Sequence, residues 1–261
     1  MNPLPGVANF RDAAGLATGS LRRGAVFRSA QLSGLSPHDG ETLLGLGVRH
    51  VFDLRTAEEA AHRPDAVPAA LRPVLLDVLA DRPHSGAAAV AGLVNAHAEK
   101  APIADVNAAV EDGRARDLMI ETYRYLVSLP SAHAGYRRLL TTVAASEGAS
   151  VIHCTAGKDR TGWAIAVLQL LAGASMDDVV DDYLGSNEPM RQEYGPMLEL
   201  FGAAGGDADA LADMIYVRPE YLEAAVELMR RVHTDLAGYL RTGLGLDSAT
   251  IARLLERLTG G

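Results

Sequence analysis

Short apolar runs alternate along the chain with segments that carry helix-capping signals. The runs lack helical periodicity, so we expect buried strands at residues 26–27, 50–54, 74–76 and 150–152. Strands that alternate with helices are typical of a parallel sheet with helices on both faces. The pattern therefore predicts an α/β fold with a mostly parallel central sheet flanked by helices.

The expected helix starts share a polar residue that can cap free N–H groups. Two of these sites have capping-box spacing, and the third is a serine followed by proline at the first helical position. They are Thr56 with Glu59, Ser175 with Asp178, and Ser36 before Pro37. Gly47 and Gly173 are the expected stops of the first helix and of an apolar helix over residues 163–171.

Length, composition and charge narrow the class of protein. With 261 residues, 48% of them hydrophobic, the chain can form a single domain over residues 1–261 without disulfides or metals. One cysteine can build neither a disulfide nor a structural zinc site, and we expect no metal and no cofactor. A net charge of −9 without a Lys/Arg stripe argues against a nucleic-acid partner. No apolar run reaches membrane-spanning length, and the oligomeric state is left open.

The single cysteine, Cys154, begins a loop that Arg160 closes six residues later. The loop follows a predicted strand and precedes a predicted helix, so it lies at the carboxyl edge of the sheet, where ligands bind in such folds. Its N–H groups can curl around a tetrahedral anion, and the Arg160 guanidinium can add two hydrogen bonds. The spacing predicts a phosphate-binding loop of Thr155, Ala156, Gly157, Lys158, Asp159, Arg160 and Thr161.

The same position favours Cys154 as a nucleophile. A helix N terminus stabilises negative charge through its free N–H groups and its macrodipole, so it stabilises a thiolate. An inert buried cysteine is the alternative, which the spacing to Arg160 disfavours. A reactive thiol without a second cysteine is vulnerable to oxidation, so we expect a cytoplasmic protein, with export without a cleavable signal peptide left open.

A nucleotide-binding Walker A loop is not indicated. That motif needs a glycine five residues before Gly157 and a hydroxyl residue after Lys158, where the chain has Ile152 and Asp159.

The loop resembles the His-Cys-x5-Arg-[Ser/Thr] signature of the cysteine-dependent protein tyrosine phosphatase superfamily. The chain is also similar, almost throughout, to a bacterial tyrosine phosphatase family. The similar segments occur in the family's order at residues 4–6, 9–12, 27–29, 53–55, 153–162, 182–187, 221–225 and 238–241. The resemblance implies a protein tyrosine phosphatase-like fold and hydrolysis of phosphomonoesters through a cysteinyl-phosphate. Phosphotyrosine in a phosphorylated protein is the first implied substrate, with phosphoserine and phosphothreonine as further ones.

Two other classes use a comparable loop. A catalytically silent phospho-binding module would keep the same cradle, and a rhodanese-like sulfurtransferase also places one cysteine between a strand and a helix. The pair Arg160-Thr161 and the family resemblance favour hydrolysis over both.

Lysine is rare in this chain, and one of its two lysines, Lys158, lies in the loop. The pair Gly157-Lys158 is similar to that of phosphoinositide phosphatases, which implies phosphoinositides as a second substrate class. A compact second cation would suit a highly charged phosphoester. The alternative is a lysine that only shapes the loop.

Residues 84–128 exceed a minimal domain of this kind. Residues 85–100 are rich in Ala and Gly, whereas Met119, Tyr123, Leu126 and Val127 recur at helical spacing. The resemblance implies a helical lid insertion over the active site. The alternative is an ordinary core-facing helix with a flexible connection.

Three aspartates are candidates for the acid that protonates the leaving group. Asp77 and Asp81 follow the predicted strand at 74–76, and Asp159 lies in the loop. Their structural alternatives are a turn residue, a surface charge and a carboxylate at a helix N terminus. Asp159 is also a candidate for orienting Arg160.

Other polar residues are assigned supporting roles. Thr161 could hydrogen-bond the Cys154 sulfur and help it leave, and His153 is expected to fix the loop rather than act as a base. A second set either braces the site or is structural. It consists of Arg11, Asp53, Arg55 and Asn187.

Overall fold

One mixed sheet organises the computed structural model, which describes residues 3–15, 21–71, 73–82, 85 and 103–260. The strand order is β1-β2-β5-β3-β4. The strands are β1 (Arg11–Asp12), β2 (Val26–Ser29), β3 (Val48–Asp53), β4 (Pro73–Leu75) and β5 (Ala149–His153). β2 to β5 are mutually parallel and β1 is antiparallel to β2, which confirms the predicted α/β fold with a mostly parallel sheet.

The two faces of the sheet have separate hydrophobic cores. Successive side chains of a strand point to opposite faces, and β5 shows the result. Val151 belongs to a smaller core with Phe27 and Leu43, whereas Ile152 belongs to a larger core with Phe52. Burial on both faces explains the apolar pair Val151-Ile152 at the centre of β5, which is buried along its whole length.

Helices supply most of the remaining structure. One helix lies between β2 and β3 and one between β3 and β4, and the others follow β4 or β5. They are α1 (Pro37–Gly45), α2 (Ala57–His62), α3 (Ile103–Val110), α4 (Arg114–Ser128), α5 (Pro130–Ala145), α6 (Asp159–Leu171), α7 (Met176–Leu184), α8 (Asn187–Ala203), α9 (Ala208–Ile215), α10 (Pro219–His233), α11 (Leu236–Gly238) and α12 (Ser248–Thr259). A π-helical turn, Tyr239–Gly243, follows α11.

The predicted helix ends are confirmed by their hydrogen bonds. Ser36 accepts from the N–H group of Asp39, and both capping boxes are complete, at the starts of α2 and α7. Gly47 and Gly173 have φ angles of 76° and 92°, the left-handed conformation that glycine adopts without strain.

Helix α6 begins at Asp159, four residues before the predicted start at residue 163. Its first turn is made of the polar residues of the loop, so the apolar pattern begins one turn late. Residues 159–169 are buried throughout, which makes α6 the central helix of the larger core.

Helix α4 lies within residues 84–128, the segment for which a lid and a core-facing helix are the two alternatives. Its side chains Met119, Tyr123, Leu126 and Val127 are at most 1% exposed, and the helix packs against α5, α9 and α10. The structure therefore favours the core-facing alternative for α4. Residues 83–84 and 86–102 lie outside the described residues, so a lid that involves them stays a prediction.

Within the part of the chain that the structure describes, we find no helix with the length and apolar character needed to cross a membrane.

The packing of α4 predicts a large cost for truncating its core side. Leu126→Ala should lower the free energy of unfolding by about 2–5 kcal/mol, because it leaves a cavity under a fully buried side chain. Arg124→Ala, on the exposed side of the same helix, should change it by about 0.5 kcal/mol or less. Denaturant unfolding of both variants measures this difference. Equal small effects would show that α4 contributes little to the core in solution.

Candidate active site

Cys154 lies at the carboxyl end of β5, immediately before a loop that enters α6. It is a free thiol, 2% exposed. The loop brings Cys154 and Arg160 together at the N terminus of a buried helix of 13 residues. The helix macrodipole and the free N–H groups of its first turn therefore act at the cysteine.

The carbonyl groups of the loop are held outwards. The Thr155 carbonyl accepts from the Gln31 N–H group, and those of Ala156 and Gly157 accept from the side-chain amide of Asn9. In a trans peptide unit the N–H group points opposite to the C=O group. The three N–H groups paired with these carbonyls, which belong to residues 156–158, therefore point the other way.

These N–H groups are available for an anion. Among the described residues, none accepts a hydrogen bond from the backbone N–H groups of residues 155–160. Buried N–H groups without a partner are costly, so a run of them marks a binding site. The arrangement fits the predicted cradle for a tetrahedral phosphoryl group.

Gly157 is required by the shape of the loop. Its φ angle is 67°, and a Cβ atom there would lie 2.1 Å from the Ser29 carbonyl oxygen. Neither the conformation nor the space admits a larger residue. The loop is therefore packed directly on the backbone at the end of β2.

Arg160 is oriented by a carboxylate from α2. Its two terminal nitrogens lie 2.5 Å and 2.8 Å from the oxygens of Glu59, a bidentate pair that is almost fully buried. The Glu59 carboxylate also accepts from the Thr155 hydroxyl at 2.6 Å. The Nε atom of Arg160 is buried and has no partner in the described parts of the chain.

The charge of Glu59 is stabilised by this pairing. Burial raises the pKa of Glu59, but the charge and hydrogen bonds of Arg160 outweigh burial and lower the pKa to about 2. The carboxylate correspondingly raises the pKa of Arg160, against the effect of its burial. Both groups are therefore ionised at neutral pH, and the guanidinium has a fixed direction.

Sequence reasoning did not assign Glu59 to the site. The residue was identified only as the second member of a capping box, and it does accept from the N–H group of Thr56. Its other role is invisible locally because Arg160 is 101 residues away. Its burial, which shows that the acid needs a cationic partner, is known only from the structure.

A second network holds the outer side of the loop. Arg28, 0% exposed, donates to the Gly157 carbonyl at 2.8 Å and to the Asp182 carboxylate at 2.8 Å. Arg11 pairs with the other oxygen of Asp182 at 3.2 Å. Both arginines also donate to the Ser186 hydroxyl, which joins the loop to the start of α8.

A third network lies behind Cys154. Arg55 donates to both oxygens of Asp53 and to Asp65, and His153 lies 3.0 Å from the other Asp65 oxygen. Burial lowers the pKa of His153, but the Asp65 and Asp53 carboxylates beside the ring outweigh burial and raise the pKa. His153 Nδ1 also lies 3.2 Å from the Cys154 carbonyl oxygen. These contacts agree with the predicted loop-fixing role of His153 and bracing role of Asp53 and Arg55.

This third network contains three potential metal ligands. The donor atoms of Asp53, Asp65 and His153 lie within 4.8 Å of one another. The Arg55 guanidinium pairs with both carboxylates, so a protein cation already offsets part of their negative charge. We therefore describe the cluster as a structural brace.

Lys158 and Asp159 point into a buried polar cluster. The Lys158 ammonium, 1% exposed, donates to the Met214 carbonyl at 2.6 Å and lies 3.3 Å from Asp159. The other Asp159 oxygen accepts from the Tyr123 hydroxyl, which lies 2.7 Å from the Tyr183 hydroxyl. Lys158 is thus already paired, and Arg160 is oriented by Glu59 rather than by Asp159.

The two aspartates that follow β4 bind helix ends. Asp77 accepts from the N–H groups of Ala57, at the start of α2, and of Leu79. Asp81 is exposed and accepts from the Ser131 N–H group in the first turn of α5, which lowers the pKa of Asp81. These contacts match the structural alternatives for both residues.

The remaining candidates have different surroundings. The Thr161 hydroxyl is fully buried and has no hydrogen-bond partner among the described residues, so its role toward the Cys154 sulfur stays a prediction. Asn187 instead exchanges two hydrogen bonds with the backbone of Val217, between α9 and α10.

Comparisons with known proteins agree with this geometry. The model of the tyrosine phosphatase family matches residues 2–260. The chain is 33% identical to the triple specificity protein phosphatase PtpB of Mycobacterium tuberculosis, over 98% of both chains. It is 29% identical to a Cupriavidus necator protein provisionally named a tyrosine-protein phosphatase, over 94% of this chain and 84% of that one.

The family match confirms the predicted phosphatase function and disfavours the binding-module and sulfurtransferase alternatives. It spans the strand, the loop and the helix around Cys154. The chain therefore belongs to the tyrosine phosphatase family, whose members are cysteine-dependent phosphatases.

Proposed function

We propose that the chain hydrolyses phosphotyrosyl proteins, and further phosphomonoesters, with Cys154 as the nucleophile. The observation that carries this proposal is the run of backbone N–H groups over residues 155–160 that find no acceptor among the described residues. They belong to the loop that joins Cys154 to Arg160 at the N terminus of a buried helix. A tetrahedral dianion is the ligand class that such a cradle suits.

The chemistry proceeds in two displacements. The Cys154 thiolate attacks phosphorus in line, the S–P bond forms, and the P–O bond to the leaving group breaks with its electron pair on oxygen. Water then attacks phosphorus and gives a proton to the carboxylate left by the acid that protonated the leaving group, the S–P bond breaks with its electron pair on sulfur, and inorganic phosphate and the thiolate are released. Arg160 and the loop N–H groups hold the charge on the non-bridging oxygens in both steps. The Thr161 hydroxyl stabilises the departing sulfur.

The leaving oxygen needs a proton, and we assign its donation to Asp159. Asp77 and Asp81 cap helices, and the lowered pKa of Asp81 makes it a weak donor near neutral pH. Asp159 is the candidate within the loop itself, where Tyr123 fixes its carboxyl group.

The substrate range is proposed to extend beyond phosphotyrosine. PtpB is named a triple specificity phosphatase, and the full-length similarity to it supports more than one substrate class. Phosphoserine, phosphothreonine and phosphoinositides are the further classes that we propose. The lone thiol supports a reducing compartment, the cytoplasm, as the site of action, with export still open.

Replacing the nucleophile tests the mechanism. Cys154→Ser should lower kcat for a small aryl phosphate by about four orders of magnitude, because a hydroxyl is not ionised by the helix field as a thiol is. Tungstate, which mimics phosphate, should still bind by calorimetry, since the cradle is intact. The assay includes EDTA. Undiminished hydrolysis by the variant, or a wild-type enzyme that needs a divalent metal, would overturn the mechanism.

Replacing Lys158 tests whether its ammonium contacts the headgroup of a phosphoinositide substrate. Because its ammonium is buried and paired, we expect Lys158→Met to lower kcat/KM for phosphoinositide and aryl phosphate alike, with a ratio changed by about threefold or less. The measurement is the ratio of the two kcat/KM values in wild type and variant. A loss confined to phosphoinositide, by about tenfold or more, would instead show a direct headgroup contact.

A further inference from the structure

We infer that Asn9 is a positioning residue for phosphoryl binding, because its side chain sets the direction of the peptide groups in the loop. Asn9 lies just before β1, far from Cys154 in sequence, and is 4% exposed. Its amide nitrogen donates to the carbonyls of Ala156 at 3.1 Å and Gly157 at 2.9 Å. The inference rests on the proposed function, since the bound group is the phosphoryl group of the substrate.

All hydrogen-bonding groups of this side chain are committed. An asparagine amide has two N–H donors, and here each carbonyl takes one of them. Its oxygen accepts from Arg11, whose guanidinium is fixed in turn by Asp182. The orientation of the amide is therefore determined, since a flipped amide would place its oxygen against two carbonyl oxygens.

The backbone at Asn9 is adapted to this role. Its φ angle is 57°, in the left-handed region that asparagine tolerates better than most residues. The preceding carbonyl, of Ala8, accepts from the N–H group of Ala30 at 3.0 Å. Ala30 follows the Ser29 carbonyl on which Gly157 packs, so one short segment holds the loop from two directions.

The consequence for binding follows from peptide geometry. As long as Asn9 holds the carbonyls of Ala156 and Gly157 outwards, the N–H groups of Gly157 and Lys158 face the cradle. If either peptide unit turned over, a carbonyl oxygen would face the anion and repel it. The Gly157 carbonyl also accepts a hydrogen bond from Arg28. Among the described residues, the Ala156 carbonyl accepts only from Asn9.

The test compares two matched changes from amide to carboxylate. Asn9→Asp places a carboxylate oxygen against the two loop carbonyls. Gln169→Glu makes the same change at a buried amide that donates to the Ala13 carbonyl, near the far end of α6. The measurements are the Kd of tungstate by calorimetry, KM and kcat for an aryl phosphate, and thermal unfolding to identify temperatures at which each variant is folded.

We expect Asn9→Asp to weaken tungstate binding by about ten- to a hundredfold and to raise KM while lowering kcat. Gln169→Glu should lower stability and leave the tungstate Kd within about threefold of wild type. A merely structural role for Asn9 would reduce the folded fraction, and therefore kcat, with KM unchanged. Tungstate affinity that is equal in the two variants would overturn the inference.

A second variant and a binding measurement on the wild-type protein complete the test of Asn9. If Asn9→Asp does not fold, Asn9→Gly keeps the backbone conformation and removes the amide, and should weaken tungstate binding about tenfold. Unchanged affinity in Asn9→Gly would also overturn the inference. Tungstate binding needs no turnover, so a wild-type protein that binds it without hydrolysing phosphomonoesters would refute the proposed function and still test Asn9.

Discussion

The direction of the peptide groups after Cys154 is the constraint on which the rest of the site depends. An anion can be bound only if the N–H groups face the cradle, so the carbonyls must be satisfied on the other side. Gln31, Asn9 and Arg28 provide those donors from the segments around β1 and β2. The sheet then has a direct functional purpose, because it holds these segments beside the carboxyl end of β5.

The site buries several charged side chains, which is unfavourable, and ion pairs between them offset the desolvation. Arg160, Arg28 and Arg55 are each at most 2% exposed, and each meets at least one carboxylate. Removing one member of such a pair would leave an uncompensated buried charge, which is strongly destabilising. The pairing also makes the guanidinium groups rigid. A fixed Arg160 needs little reorganisation when the phosphoryl group changes shape during the reaction.

Local features were predictable from the sequence, and distant partnerships were not. The strand, loop and helix around Cys154 follow from short-range patterns, as do the capping boxes. Glu59 and Asn9 were missed as site residues because their partners lie 101 and 147 residues away. β1, with two residues, is too short to show a period. The spacing of apolar residues correctly predicts that α4 is a helix. Periodicity alone cannot distinguish a core helix from a lid.

The most direct test of this account is a crystal structure of the Cys154→Ser variant with tungstate bound. The account predicts the anion at the N terminus of α6, with hydrogen bonds from the backbone N–H groups of residues 155–160 and from Arg160. Glu59 should keep its contact with the guanidinium, and the Ala156 and Gly157 carbonyls should still point to Asn9. Tungstate bound elsewhere, or a loop with either carbonyl turned towards the anion, would contradict it.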